Sequence, residues 1–302
     1  MRTLPRPAVM GIVNVTPDSF SDGGRYLDPG AAIDHGLELA AAGADVIDVG
    51  GESSRPGALP VPADVELARV VPVVRALAAR AGVPVSVDTT KAAVAAAALD
   101  AGASIVNDIS AGRADPGMLR LVAAAGAGYV VMHMAGTPAT MQIDPRYDDV
   151  VSDVTRFLAE RLEMAVAAGV EQRCLIADPG IGFGKTAGHN LELLAGLPVL
   201  VDALEGVPVL VGTSRKSFLG GTVDDRDDAT LVTVVWCLER GAAMVRVHDV
   251  RPAVTAARLV TALAQQGEPV QRPAWDRGPT LGRSRGAGDP AGSKLGVGGS
   301  LR

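Results

Sequence analysis

The feature that most constrains this chain is an alternation repeated eight times. Short apolar runs that suit buried strands occupy residues 8–13, 45–49, 84–88, 104–109, 128–134, 174–177, 208–212 and 244–247. Between and after them lie Ala- and Leu-rich stretches with helical character, at 31–42, 65–81, 91–101, 116–125, 149–168, 191–203, 228–240 and 253–265. Several of these stop at an Ala-Gly pair (Ala42-Gly43, Ala81-Gly82, Ala101-Gly102, Ala168-Gly169), where glycine takes the left-handed position beyond the last turn. Strands that alternate with helices run parallel. Eight such units predict a single (β/α)8 barrel of the TIM type over residues 1–266. A doubly wound open sheet is the rival fold, but it concentrates its glycines in one fingerprint loop, and here glycine-bearing polar loops recur along the whole chain. Residues 267–302 are dominated by Gly, Pro, Ser and Arg without apolar periodicity, so a disordered tail is expected there.

Composition narrows the function. A net charge of −6 leaves no electrostatic footprint for nucleic acid, so any anion must be held by a local site. Cys174 and Cys237 each sit inside an apolar run and read as reduced core residues of a cytoplasmic protein. The N-terminal MRTLPRPAVM has no apolar signal core, and no apolar run approaches the ~20 residues of a membrane span.

In a (β/α)8 barrel the carboxyl ends of all strands converge on one face, where the chemistry is done. The polar residues expected there are Asn14, Asp48, Glu52, Asp88, Asn107, Asp108, His133, Asp178, the run Ser214-Arg215-Lys216-Ser217, and Arg246, His248 and Asp249. Asn107, inside the run SIVNDIS, is costly in a barrel interior unless hydrogen-bonded. Interior carboxylates with amides and a lysine suit a flat polar heterocycle. Arg246 and His248 are two apart and so share a side; closure of the barrel sets strand 8 beside strand 1 and brings Asn14 to them. That trio suits phosphate or pyrophosphate. Long polar loops after the first two strands, 15–24 and 50–57, are expected to act as lids.

The stretch CLIADPGIGFGKT (174–186) contains one decoy. Gly184-Lys185-Thr186 matches the end of a nucleotide-binding P-loop, but that motif needs glycine where this chain has Pro179. No grouping of His, Cys, Asp and Glu has the spacing of a zinc site.

The segments GIVNVTPDSFSDGG, DVGGESSRPG, VDTTK, NDISAG, VMHM…TMQ, DPGIGFGK, GTSRKSFLG and RVHDVR, in this order over residues 8–265, resemble those of bacterial dihydropteroate synthases. The resemblance implies that 4-aminobenzoate displaces diphosphate from 6-hydroxymethyl-7,8-dihydropterin diphosphate, giving 7,8-dihydropteroate for folate synthesis, in an enzyme that is a sulfonamide target. It implies a pterin diphosphate site of Asp88, Asn107, Asp178, Lys216, Arg246, His248 and Asn14, and a 4-aminobenzoate site of Ser54, Arg55, Pro56, Phe183, Lys216 and Ser217. Asp88, Lys216, Arg246 and Arg55 would carry catalysis, with Asn14 as a ligand of Mg2+. A homodimer through barrel helices is likewise implied. The alternatives are a methyltetrahydrofolate-binding methyltransferase, which has no use for the Arg-x-His pair, and a catalytically silent pterin-binding paralogue, expected to lose Asp22, Arg55 and Pro56.

Overall fold

The computed structural model describes Leu4, residues 7–16 and residues 29–266. Most of the loop after the first strand, with Asp22, and the tail 267–302 lie outside the described residues. The strands are β1 (Ala8–Asn14), β2 (Val46–Gly50), β3 (Val85–Asp88), β4 (Ile105–Asp108), β5 (Gly128–Met132), β6 (Leu175–Asp178), β7 (Leu210–Val211) and β8 (Met244–Val247). The helices are α1 (Pro29–Ala41), α2 (Ala63–Arg80), α3 (Ala92–Asp100), α4 (Met118–Ala125), α5 (Val150–Ala167), α6 (Ala187–Ala195), α7 (Leu197–Ala203), α8 (Val223–Glu239) and α9 (Val250–Gln266). The strands form one parallel sheet in the order β6-β5-β4-β3-β2-β1-β8-β7. An isolated bridge, Ala177 to Val209, joins its two edges and closes the expected (β/α)8 barrel. Gly43, Gly82, Gly102 and Gly169 all have positive φ, as the Ala-Gly stops require.

Three expectations need correction. The run 174–177 begins a residue late as a strand, because Cys174 ends a 3-10 turn over Gln172–Cys174. The run 208–212 shrinks to Leu210–Val211: Pro208 has no N–H to enter the ladder, although its carbonyl accepts from Ala177 N at 2.9 Å. The single helix expected over 191–203 is two, α6 and α7, broken at Gly196 with Pro198 in the first turn of α7. Proline is tolerated there but not further into a helix. Trp236 Nε1 on α8 donates to Leu194 O at 2.9 Å, satisfying one of the carbonyls left open by the break.

Side chains on a strand alternate sides, and the alternation builds the site. Ala8, Met10, Val46, Ile105, Val130, Ile176, Leu210 and Met244 form a buried cluster plugging the barrel. The residues two further along point the same way, one layer nearer the mouth: Asp48 after Val46, Asn107 after Ile105, Asp178 after Ile176 and Arg246 after Met244. The opposite strand faces pack under the helices in a second, larger cluster. Met10 is completely buried in the plug, so Met10→Ala is expected to cost about 2–5 kcal/mol in denaturant unfolding.

Candidate active site at the barrel mouth

The centre of the mouth is an ion network across three strands. Arg246 Nε donates to Asp48 Oδ2 at 2.7 Å and Nη2 donates to Asp88 Oδ2 at 2.8 Å. Asp48 is wholly buried, and its Oδ2 also accepts from Asn107 Nδ2 at 2.9 Å. Because the Asn107 amide donates to Asp48, its carbonyl oxygen is left as an acceptor without a protein partner. Asn107 Oδ1, Asp48 Oδ1 and Ser86 Oγ are all buried without a protein partner. Burial pushes the Asp88 pKa up to about 7, opposed by Arg246 and reinforced by the carboxylates of Asp48, Glu66 and Asp108. Burial alone would lower Arg246, but Asp48 and Asp88 outweigh it and hold the guanidinium above its ordinary value.

The second wall is the loop that follows β6. Asp178 Oδ1 accepts from Gly180 N at 2.7 Å, capping its own turn. Gly180 has φ +65°, and a Cβ there would lie 1.8 Å from His133 O, so no other residue fits. Lys185 organises this loop from inside. Its buried Nζ donates to Gly180 O at 2.9 Å and Phe183 O at 3.0 Å, and lies 2.8 Å from His133 Nδ1. Tyr147 Oη donates to Gly184 O at 2.7 Å and Gln142 Nε2 to Gly182 O at 2.9 Å. The lysine of the rejected P-loop motif is thus consumed by its own loop. Lys216, half-buried, donates from Nζ to Ile181 O and stands 4.7 Å over the Phe183 ring. Burial lowers its pKa to about 8, with Asp178 opposing. Asp178 is itself raised by burial, with Lys216 opposing.

The third group departs from expectation. His248 lies just past β8, and its pKa falls to about 3 through burial and then the charges of Arg246 and Arg215. It is a neutral hydrogen-bonding group near pH 7, rather than a positive one. Ser214 Oγ accepts from His248 N at 3.1 Å and lies 2.9 Å from Nδ1; donation of the hydroxyl proton to Nδ1 leaves Nε2–H as the free donor. Asn14 pairs with Gly50 of β2 rather than with β8, whose register with β1 runs only to Gly11–Val247. Arg246 turns toward Asp48 and Asp88, and no hydrogen bond among the described residues joins it to Asn14 or His248, although its charge acts on His248. The charge of Arg55 does reach His248.

Of the second expected set, Phe183 and Lys216 come together, while Ser54, Arg55 and Pro56 stand on the β2–α2 loop with Arg55 and Pro56 exposed. Ser217 opens a short 3-10 turn and is also exposed. Sequence reasoning undervalued Asp48, Ser86, Lys185 and Ser214. For Asp48 a signal was present: it holds the same place after an apolar plug residue as Asn107, Asp178 and Arg246 do. Among the described residues no group of three His, Cys, Asp or Glu could hold a metal ion.

Asp88 has a testable signature in stability. A raised carboxylate pKa means that the folded chain holds a proton the unfolded chain has released. Stability from this group is therefore present below about pH 4 and is lost as pH rises through the folded value of about 7. Subtracting the unfolding free energy of Asp88→Asn from that of wild type across pH 4–8 is expected to isolate a decline toward high pH; a flat difference would contradict the raised pKa.

Comparison with known proteins shows the family. Residues 10–248 match the family described as pterin binding enzyme. The dihydropteroate synthase of Mycobacterium leprae is 50% identical over 275 residues, covering 87% of this chain and 96% of that protein. The dihydropteroate synthase of Xanthomonas albilineans solved with 4-aminobenzoic acid is 48% identical with a TM-score of 0.81, covering 89% of this chain and 96% of that one. The same organism's enzyme solved with 7,8-dihydropteroate is 45% identical with a TM-score of 0.79, covering 89% and 97%. With half its residues shared over nearly its whole barrel and the same fold, the chain belongs to the pterin-binding enzymes and, within them, to the dihydropteroate synthases.

Proposed function

We propose that the barrel mouth condenses 6-hydroxymethyl-7,8-dihydropterin diphosphate with 4-aminobenzoate, with the residues above in the following roles. The observation that carries this reading is the Asp48–Asn107–Arg246–Asp88 network: a buried floor of charges whose amide oxygen is still unsatisfied. A flat ring with N–H groups along one edge completes such a floor, whereas an apolar ligand would leave its polar atoms unpaired at about 1–3 kcal/mol each. Binding of 4-aminobenzoic acid and 7,8-dihydropteroate by the Xanthomonas relatives supports one substrate and the product of this reaction.

In this reading Asp88, Asn107 Oδ1 and Asp178 accept from the pterin edge, and Lys216 donates to it. The methylene C–O bond breaks with its electrons leaving on diphosphate. Arg246, helped by Arg55, offsets that charge, while neutral His248 donates from Nε2 and Asn14 offers its amide. The cation left on the methylene spreads into the electron-rich ring, and Asp88 stabilises it electrostatically. The amine of 4-aminobenzoate, held beside Phe183, Lys216 and Ser217 and covered by Ser54, Arg55 and Pro56, then forms the new C–N bond and loses a proton to solvent. No protein nucleophile is needed.

The donor set fits a Mg2+ ion that arrives on the diphosphate. Asn14 offers one hard oxygen at the end of β1, and Mg2+ commonly takes one or two protein oxygens together with substrate phosphates. When bound it supplies further neutralisation of the leaving group. Two finer assignments accompany this reading. The buried free cysteines Cys174 and Cys237 suit the reducing cytoplasm, and no helix among the described residues is long and apolar enough to cross a membrane. A homodimer is favoured by the outer faces of α8 and α9, which leave Val232, Val235, Trp236, Leu259 and Leu263 exposed.

Steady-state turnover with the pterin diphosphate, labelled 4-aminobenzoate and Mg2+ tests the chemistry. Asp88→Ala and Arg246→Ala are each expected to lower kcat/KM by about 10²–10³ or more; turnover within a few-fold of wild type would reject their roles. Because catalysis needs the Asp88 carboxylate, kcat/KM for the pterin diphosphate should fall below about pH 7. Val232→Glu is expected to convert a dimer to a monomer in sedimentation equilibrium, and a wild-type monomer would refute that assembly.

A further inference from the structure

A second ion network lies outside the reaction centre, at the base of the β2–α2 loop. That loop leaves the barrel at Gly51 and returns to α2 at Ala63. Glu52 Oε2 accepts from Val61 N at 2.8 Å, closing the loop across its own neck. The same oxygen accepts from Lys91 Nζ at 2.5 Å, and Lys91 Nζ also donates to Glu66 Oε2 at 2.5 Å. Glu66, on α2, is completely buried. Arg69 Nη1 holds Gly51 O at 2.8 Å, and a Cβ on Gly51 would lie 2.6 Å from Val70 Cγ1, so the start of the loop is pressed onto α2. The far end is held by Gly57 N donating to Pro138 O at 3.0 Å and by Ala58 N donating to Arg55 O at 3.0 Å. Between neck and tip stand Arg55 and Pro56, both exposed.

Lys91 comes from the other direction. It stands three residues beyond Asp88, at the N-terminal edge of α3, in a short turn where Lys91 N donates to Thr89 Oγ1 at 3.2 Å and Thr89 N to Asn107 O at 3.0 Å. One ammonium group therefore links the segment that ends in the pterin-facing carboxylate to the neck of the loop carrying Arg55. Burial would lower its pKa, but the two glutamates outweigh burial and hold it above the ordinary lysine value. An ion network with a fully buried carboxylate is a poor source of net stability, since desolvation offsets most of the attraction. What such a network does supply is a fixed geometry.

We infer that Lys91, Glu52 and Glu66 are positioning residues that set the β2–α2 loop in register with the Asp88 segment, so that Arg55 and Pro56 are presented over the 4-aminobenzoate position. This rests on the reading above that the loop covers 4-aminobenzoate. The Glu52 arm of the network therefore governs binding of the second substrate, and of sulfonamides that occupy its place.

The test uses Glu52→Ala, Lys91→Gln and Lys91→Arg, with Arg55→Ala as the control for the loop itself. Glu52→Ala and Lys91→Gln are expected to raise KM for 4-aminobenzoate by about 10-fold, and in Glu52→Ala, which leaves the Lys91–Glu66 pair in place, KM for the pterin diphosphate stays within about 2-fold. Amides 53–60 should exchange with deuterium about 10-fold faster in both variants, with β3 unchanged. Lys91→Arg, which can still bridge both carboxylates, should restore wild-type behaviour. Loss of Lys91 leaves Glu66 buried and uncompensated, so Glu52→Ala, altered on the more exposed side, is the decisive variant if Lys91→Gln fails to fold. The inference is overturned if Glu52→Ala leaves KM for 4-aminobenzoate unchanged or raises both KM values together, while Arg55→Ala raises the 4-aminobenzoate value. If Arg55→Ala also leaves that value unchanged, the loop does not cover 4-aminobenzoate, and the inference falls with that reading.

Discussion

The mouth of this barrel depends on a single guanidinium. Asp48 and Asp88 project from adjacent parallel strands into a largely buried space, and two such carboxylates resist being ionised together. Arg246, from β8, crosses in front of β1 and contacts both. Removing one partner of a buried set like this commonly costs about 3–5 kcal/mol, because the remaining charges stay buried. The network therefore holds the floor of the mouth in one arrangement, and Asn107, tied to the same Asp48 oxygen, is held with it. Fixed dipoles and charges of this kind need no reorganisation when a charged leaving group departs.

The two lysines near the mouth show how similar side chains are put to different ends. Lys185 meets two carbonyls and an imidazole nitrogen, with no carboxylate in its hydrogen-bond shell. Its donors are saturated by protein, so it shapes the loop and has nothing left for a ligand. Lys216 is half-buried, donates to one carbonyl, Ile181 O, and stands over the Phe183 ring. What separates the two is how many partners the fold places around each ammonium and how deeply it is buried.

The barrel and most of the mouth were legible in the sequence because both follow from short-range rules. Strand–helix alternation dictates parallel pairing, and the two-residue period puts Asn107, Asp178 and Arg246 one layer above an apolar plug. The Ala-Gly stops were legible for the same local reason. Partnerships across the chain were not: nothing within RVHDVR shows that Arg246 will turn to Asp48 and Asp88 rather than to Asn14, since that depends on register between β8, β1 and β2. The neutral state of His248 was hidden too, because it comes from burial and from arginines brought near by folding. The break between α6 and α7 was marked by Pro198, but the Ala- and Leu-rich composition on either side masked it.

Closure of the ring has its own consequence. Seven of the eight strand junctions carry ladders, whereas β6 and β7 meet through one bridge, Ala177 to Val209, beside the bond from Ala177 N to Pro208 O. This seam is where the cylinder has least backbone cohesion. Asp178 stands on one side of it and Lys216 on the other, so any ligand gripped by both bridges the seam from above. Occupancy and circular continuity are then thermodynamically linked: a filled mouth acts as a clasp on the ring, and the empty barrel breathes most readily along that one line.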